Sequence, residues 1–71
     1  MELNQHDQTP FILLRAADVA RRLNVSRAMA YRLMQRGEIP IVRVGLSVRV
    51  RSCDLEEFIR INLTPANRSI L

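Results

Sequence analysis

The side chains in this sequence that could do chemistry are mostly arginines, and they fall into two clusters. Arg27, Tyr31, Arg32 and Gln35 lie within one short stretch, and Arg43, Arg49 and Arg51 follow in a stretch where arginine alternates with valine. Guanidinium, phenol and amide groups hydrogen-bond to phosphate oxygens and base edges, and guanidinium does so through a planar bidentate fork. That is binding chemistry. For catalysis the chain is nearly bare: His6 sits in a polar leading segment and Cys53 is the single cysteine. One Cys and one His cannot assemble a metal site. There is no glycine-rich phosphate loop and no nucleophile–base pair. The expectation is a protein that is not an enzyme, with no metal, no cofactor and no small-molecule substrate.

All eleven basic residues are arginine, and they are unevenly placed. From Arg15 to Arg51, nine arginines face only Asp18 and Glu38, a balance of +7; the remainder of the chain carries −3, giving the overall +4. A basic middle with an acidic end suits a face made for a polyanion. Seventy-one residues allow one domain, and a core of this size is marginal in stability. A partner that binds only the folded form would add to that stability by mass action. With two Phe, one Tyr and no Trp, the core must be aliphatic. A lone cysteine excludes an internal disulfide and fits a reducing compartment. No run of residues approaches a membrane span, and the polar, acidic start is unlike a signal peptide, so a cytoplasmic protein is expected.

The elements that must position the arginines follow from periodicity. Residues 1–10 read as a loose tail ending at Pro10, and Phe11 to Leu14 as a short apolar stretch packing onto the core. Ala16, Val19, Ala20 and Leu23 form the stripe of a first helix, which Asn24 can close in the left-handed conformation. Ser26 is placed to cap a second helix over 27–36 that stops at Gly37. Winding that helix puts Ala30, Leu33 and Met34 on one side, with Met29 at the margin. Arg27, Ala28, Tyr31, Arg32 and Gln35 fall opposite. The period then changes to two: Val42-Arg43-Val44 and Val48-Arg49-Val50-Arg51 predict a two-stranded hairpin around a Gly45-Leu46-Ser47 turn. Valines are expected inward and arginines outward, with Arg43 and Arg49 on one face, tolerable if an anion lies across them. Ser52 is expected to cap a third helix, stopped by Thr64-Pro65, with Leu55, Phe58, Ile59 and one of Asn62 or Leu63 on its inner face. Phe58 is the expected central aromatic. Residues 64–71 read as a second tail. The fold class is α+β, a small winged helix-turn-helix over 11–63 with three short helices and a two-stranded β-hairpin wing.

Taken together, Leu23-Asn24-Val25-Ser26-Arg27, Tyr31-Arg32-Leu33-Met34, Gly37-Glu38-Ile39-Pro40 and Val42-Arg43-Val44-Gly45 with Val48-Arg49-Val50 resemble the excisionase and AlpA-like DNA-binding family, relatives of the MerR-type winged helix. The resemblance covers about residues 13 to 59. It implies a recognition helix in the major groove, with Ser26, Arg27, Ala28, Met29, Tyr31 and Arg32 in the contacting region, and a wing with Arg43, Gly45, Ser47 and Arg49 along the adjacent backbone. It departs from the family pattern where Ala28 and Met29 replace small polar residues, where Leu46-Ser47 replaces a basic wing tip, and where Arg15 stands in place of a capping Thr. The implied role is an excisionase that binds tandem sites cooperatively, bends double-stranded DNA and directs an integrase toward excision. Its partners would be DNA, the integrase and neighbouring copies of itself. The alternatives are a small AlpA-like transcription regulator and a protein-interaction adaptor.

Overall fold

A computed structural model of the chain describes residues 10–66. Along the chain run β1 (Leu13–Leu14), α1 (Ala16–Leu23), α2 (Arg27–Gln35), β2 (Val42–Val44), β3 (Ser47–Arg51) and α3 (Ser52–Ile61). The fold class is as expected, with one addition. The expected two-stranded hairpin, β2 with β3, is present, and β1 joins it: the strands order β1-β3-β2, all antiparallel, with Leu13 opposite Arg51 and Leu14 opposite Val50. The apolar stretch that was to pack on the core supplies this third strand. A hairpin alone is marginal in water, and a third strand over helices removes that weakness. Only Leu14 of the stretch is buried; Phe11, Ile12 and Leu13 remain exposed. Of the tails expected over 1–10 and 64–71, residues 1–9, with His6, and 67–71 lie outside the described residues.

Both helices of the helix-turn-helix end on a left-handed residue. Asn24 has φ 58°, and the Val25 N–H donates to the Ala20 carbonyl at 2.9 Å while the Asn24 N–H reaches Arg21 O at 3.2 Å. Gly37 has φ 75°, with the Glu38 N–H donating to Leu33 O at 3.0 Å and the Gly37 N–H to Met34 O at 3.2 Å. This paired arrangement satisfies carbonyls that a helix end otherwise leaves open. Asn24 thus does what its residue type predicts. At the other end of α1, Arg15 has no side-chain acceptor, and Asp18 does the capping alone: its Oδ2 accepts the Arg15 backbone N–H at 3.0 Å.

The core is aliphatic throughout: Leu14, Ala16, Val19, Ala20, Ala30, Met34, Ile39, Val50 and Leu55 are buried, with Val19, Ile39, Val50 and Leu55 its largest fully enclosed side chains. Phe58 is not the central residue expected of it. It packs against the cluster half-buried, beside Leu23, Leu33, Ile41 and Val48. The centre goes instead to Ile39, which the α2 closure and Pro40 deliver from a loop with no periodicity to advertise it. Ile59 and Leu63 are exposed, and α3 ends at Ile61, ahead of Thr64, where the Asn62 Nδ2 donates to Phe58 O at 2.8 Å.

Ser52 is likewise not the cap of α3. The cap position is Arg51, which makes no side-chain cap bond, and Ser52 is the first helical residue. Its Oγ accepts the Ile12 N–H at 3.0 Å, and its own N–H donates to Ile12 O at 2.9 Å. The hydroxyl that local sequence assigns to a cap extends the β1–β3 pairing by one residue instead. Among the described residues no helix is long and apolar enough to cross a membrane.

Two predictions follow from this packing. Leu55→Ala is expected to lower stability by about 2–5 kcal/mol in urea denaturation, and Phe58→Ala by less than the fully buried range of about 3–5 kcal/mol. The second concerns Asp18. The Arg15 backbone hydrogen bond holds its carboxyl below the ordinary 3.8, outweighing the opposing desolvation, and the Arg21, Arg15 and Arg22 charges add to the lowering. With the folded value below the unfolded one, its contribution is complete above the ordinary value and is lost as pH falls through the folded value. Thermal midpoints of the native chain and Asp18→Asn should therefore converge as pH falls below the ordinary carboxylate value; a constant gap would remove this role.

Candidate nucleic-acid interface

Helix α2 begins where the sequence places it. The Ser26 Oγ accepts the Met29 N–H at 3.0 Å, and Ser26 is extended, with φ −70° and ψ 159°. Ala30 and Met34 are buried and Leu33 half-buried, so the inward side is as expected. Arg27, Ala28, Met29, Tyr31, Arg32 and Gln35 are exposed. The regular helix closes at Gln35, with Arg36 as its cap.

The wing differs from expectation in a way that matters. Val42 lies opposite Arg49, Arg43 opposite Val48 and Val44 opposite Ser47. The turn therefore has two residues, Gly45 and Leu46, and Ser47 belongs to β3. Gly45 has φ 62° while Leu46 keeps a negative φ, the pattern of a two-residue hairpin turn with glycine first. A three-residue turn would pair Arg43 with Arg49 and valine with valine. Shortening it by one residue changes every cross-strand partner, because side chains alternate with period two. Opposed residues share a face. Arg43 consequently shares the inner face with Val48 and Val50, and Arg49 shares the outer face with Val42. The two wing arginines do not emerge together, and the valines are not all inward. The like-charge pair is avoided altogether.

Turning Arg43 inward brings it to α2. Tyr31 and Gln35 from α2 and Arg43 from β2 line an open cleft of about 390 Å³, floored by Met34, Ile41 and Val48. Arg49 instead folds along its own strand, its Nη1 donating to Val48 O at 2.9 Å. Gly45, Leu46 and Ser47 form an exposed tip, with Leu46 the most exposed large side chain.

Pairing divides the arginines into two groups. Arg21 pairs with Asp18, Arg36 with Glu38 at 3.7 Å, Arg51 with Asp54 and Arg60 with Glu57. The Arg51–Asp54 pair is bidentate at 2.6 and 3.0 Å, and the Arg51 guanidinium also lies 5.3 Å from the Phe11 ring centroid. The Arg60 side chain, by hydrogen bond and charge, holds Glu57 below its ordinary 4.5, and Glu57 in turn raises Arg60. No ion pair among the described residues engages Arg15, Arg22, Arg27, Arg32, Arg43 or Arg49. Four of these six stand on α2 and the wing. Reading the sequence alone passed over Arg15 and Arg22 as binding candidates. It also left Gln35 out of the contacting set, although its place on the outward side of α2 was a usable signal. Among the described residues no group of His, Cys, Asp and Glu could hold a metal ion.

A tight helix–turn–helix followed directly by a β-hairpin packed on its helices defines a small winged helix-turn-helix domain. Residues 13–61 match the family described as helix-turn-helix domain, and the chain belongs to that family. Two relatives from Mycobacterium tuberculosis are each 50% identical to it over 40 residues: "Putative DNA-binding protein MT0521" of strain CDC 1551 / Oshkosh and "Putative DNA-binding protein Rv0500A" of strain ATCC 25618 / H37Rv. The match takes in 56% of this chain and spans about half, 51%, of each curated relative. No solved structure matches the chain significantly.

The two-residue turn carries its own test. A Cβ at Gly45 would meet nothing within 4 Å, so any penalty comes from φ alone. Gly45→Ala should cost about 1–2 kcal/mol, and Gly45→Asn less, in thermal melts. Equal stability of all three would show that the turn does not set the register.

Proposed function

We propose that this domain binds double-stranded DNA, with α2 in the major groove and the hairpin along the neighbouring backbone. The observation that carries the reading is the set of guanidinium groups with no acidic partner among the described residues on two successive elements, Arg27 and Arg32 on α2 and Arg43 across the cleft from Tyr31 and Gln35. An unpaired guanidinium forgoes the Coulomb energy of a carboxylate, and a phosphate or a guanine edge restores it. Membership in a helix-turn-helix family and the printed names of the Mycobacterium relatives agree with this. Arg43 and Arg49, on opposite faces of the ribbon, address separate phosphates.

A single domain of this size covers few base pairs and binds weakly alone. Several copies on tandem sites would restore affinity, which fits an architectural role: an excisionase that bends DNA and leaves the bond-breaking to an integrase. A promoter-bound regulator of the AlpA type would use the same face. Permuted-site gel shifts separate the two: cooperative, bent complexes on repeated sites support the first, and unbent single-site complexes the second.

Binding itself is tested by substitution and salt. Arg27→Ala or Arg32→Ala should weaken a specific site by about 1–3 kcal/mol where the side chain reads a base. Arg43→Ala and Arg49→Ala should weaken all sequences alike and each reduce the log–log salt slope, about −4 for four to five phosphates, by close to one. Arg60→Ala, whose charge is held by Glu57, should leave binding unchanged. Affinity indifferent to salt would point to a protein partner and overturn the proposal.

A further inference from the structure

Resting on the DNA reading, one sector of α2 says which base step the helix reads. Hydrogen-bonding groups on the helix divide by position. The Ser26 Oγ sits at the helix start, accepting the Met29 N–H, and Tyr31 and Gln35 line the cleft with Arg43 on the wing side. What remains on the other side of the exposed surface is Ala28, Met29 at 36% exposure and Arg32, with Arg36 beyond them paired to Glu38. Arg32 is four residues from Ala28 and three from Met29, so it is their neighbour on the helix surface. Two apolar side chains thus adjoin one guanidinium that has no ion pair among the described residues.

The major groove limits what such a sector can face. Every base edge there presents donors or acceptors, and covering one with an apolar side chain leaves it unsatisfied at a cost. The exception is the C5 methyl of thymine, the single apolar feature of the groove. A guanidinium finds its best partner at the O6 and N7 of guanine. We infer that the Ala28–Met29–Arg32 sector reads a thymine adjacent to a guanine, the methyl seated against the apolar side chains and the guanine held by Arg32. In the order thymine then guanine the step is also an easily deformed one, so such a site would suit a bent complex.

The test begins with selection of duplex sites from a randomised pool by the full 71-residue chain. Each selected thymine is then replaced singly by uracil, which keeps the base pair and removes only the methyl. At a thymine beside a guanine, the exchange should weaken binding about fourfold, the equivalent of one methyl group returned to water. 5-Methylcytosine paired with guanine at that position should bind better than cytosine. Met29→Gln, at a position outside the buried core, should abolish the thymine–uracil difference and leave the salt slope intact. Arg32→Ala should abolish the preference for the adjacent guanine. Specific, salt-dependent binding in which thymine and uracil are equivalent everywhere overturns this inference alone. Absence of any salt-dependent duplex binding overturns both it and the proposed function.

Discussion

Strand β3 is the constraint on which the remaining geometry depends. It is the middle strand, paired with β1 on one side and β2 on the other, and it carries Val50, one of the largest fully buried side chains. Burying Val50 fixes which face of β3 is inward. The two-residue turn at Gly45-Leu46 then fixes which residues of β2 share that face. Arg43 is aimed at α2 for this reason and no other: it stands opposite Val48, two positions from Val50. Moving the turn by one residue would keep every strand and every residue type, yet send Arg43 to the outer face, opposite Arg49.

The helical half is held by chain reversals rather than by propensity. Helices of eight and nine residues are too short to persist alone in water. Each is closed by a left-handed residue whose neighbours satisfy the final carbonyls, Asn24 for α1 and Gly37 for α2. The first closure hands the chain to Ser26, which caps α2 two residues later. The second sends it to Ile39, the fully buried residue that anchors the path into the wing. The exposed side chains of α2 and β2 are thus joined through a short, heavily constrained connection, and their relative placement is set by the fold itself.

What could be read from the sequence was whatever depends on neighbours along the chain. The helical stripe of Ala16, Val19 and Ala20, the Ser26 cap, the left-handed Asn24 and the change of period at Val42 are all local signals, and all appear in the structure. The failures share a different cause. Ser52 carries every local mark of a cap, but Ile12, forty residues away, takes its hydroxyl. Phe58 is the largest apolar side chain on α3, yet small aliphatic residues fill the centre. The hairpin register turned on a single residue of turn length, and Val-Arg alternation on both strands looks the same in either register. Long-range partners decide all three, and a single sequence does not display them.

Charge pairing gives the interface an economy that the net charge hides. A chain with eleven arginines need not be basic over its whole surface. Here Asp54 and Glu57 neutralise Arg51 and Arg60 at α3, and Asp18 neutralises Arg21 on α1, all between residues three apart in sequence. Exposed pairs of this kind add little stability. Their larger effect is on the field: they mute positive charge at α3 and at one of the arginines of α1, while α2 and the inner face of the wing keep theirs. For a domain with so small a footprint, that asymmetry matters more than total charge. A uniformly basic surface would hold a duplex in many orientations. Positive charge concentrated on two adjoining elements favours the one approach in which the recognition helix and the wing meet the same stretch of backbone.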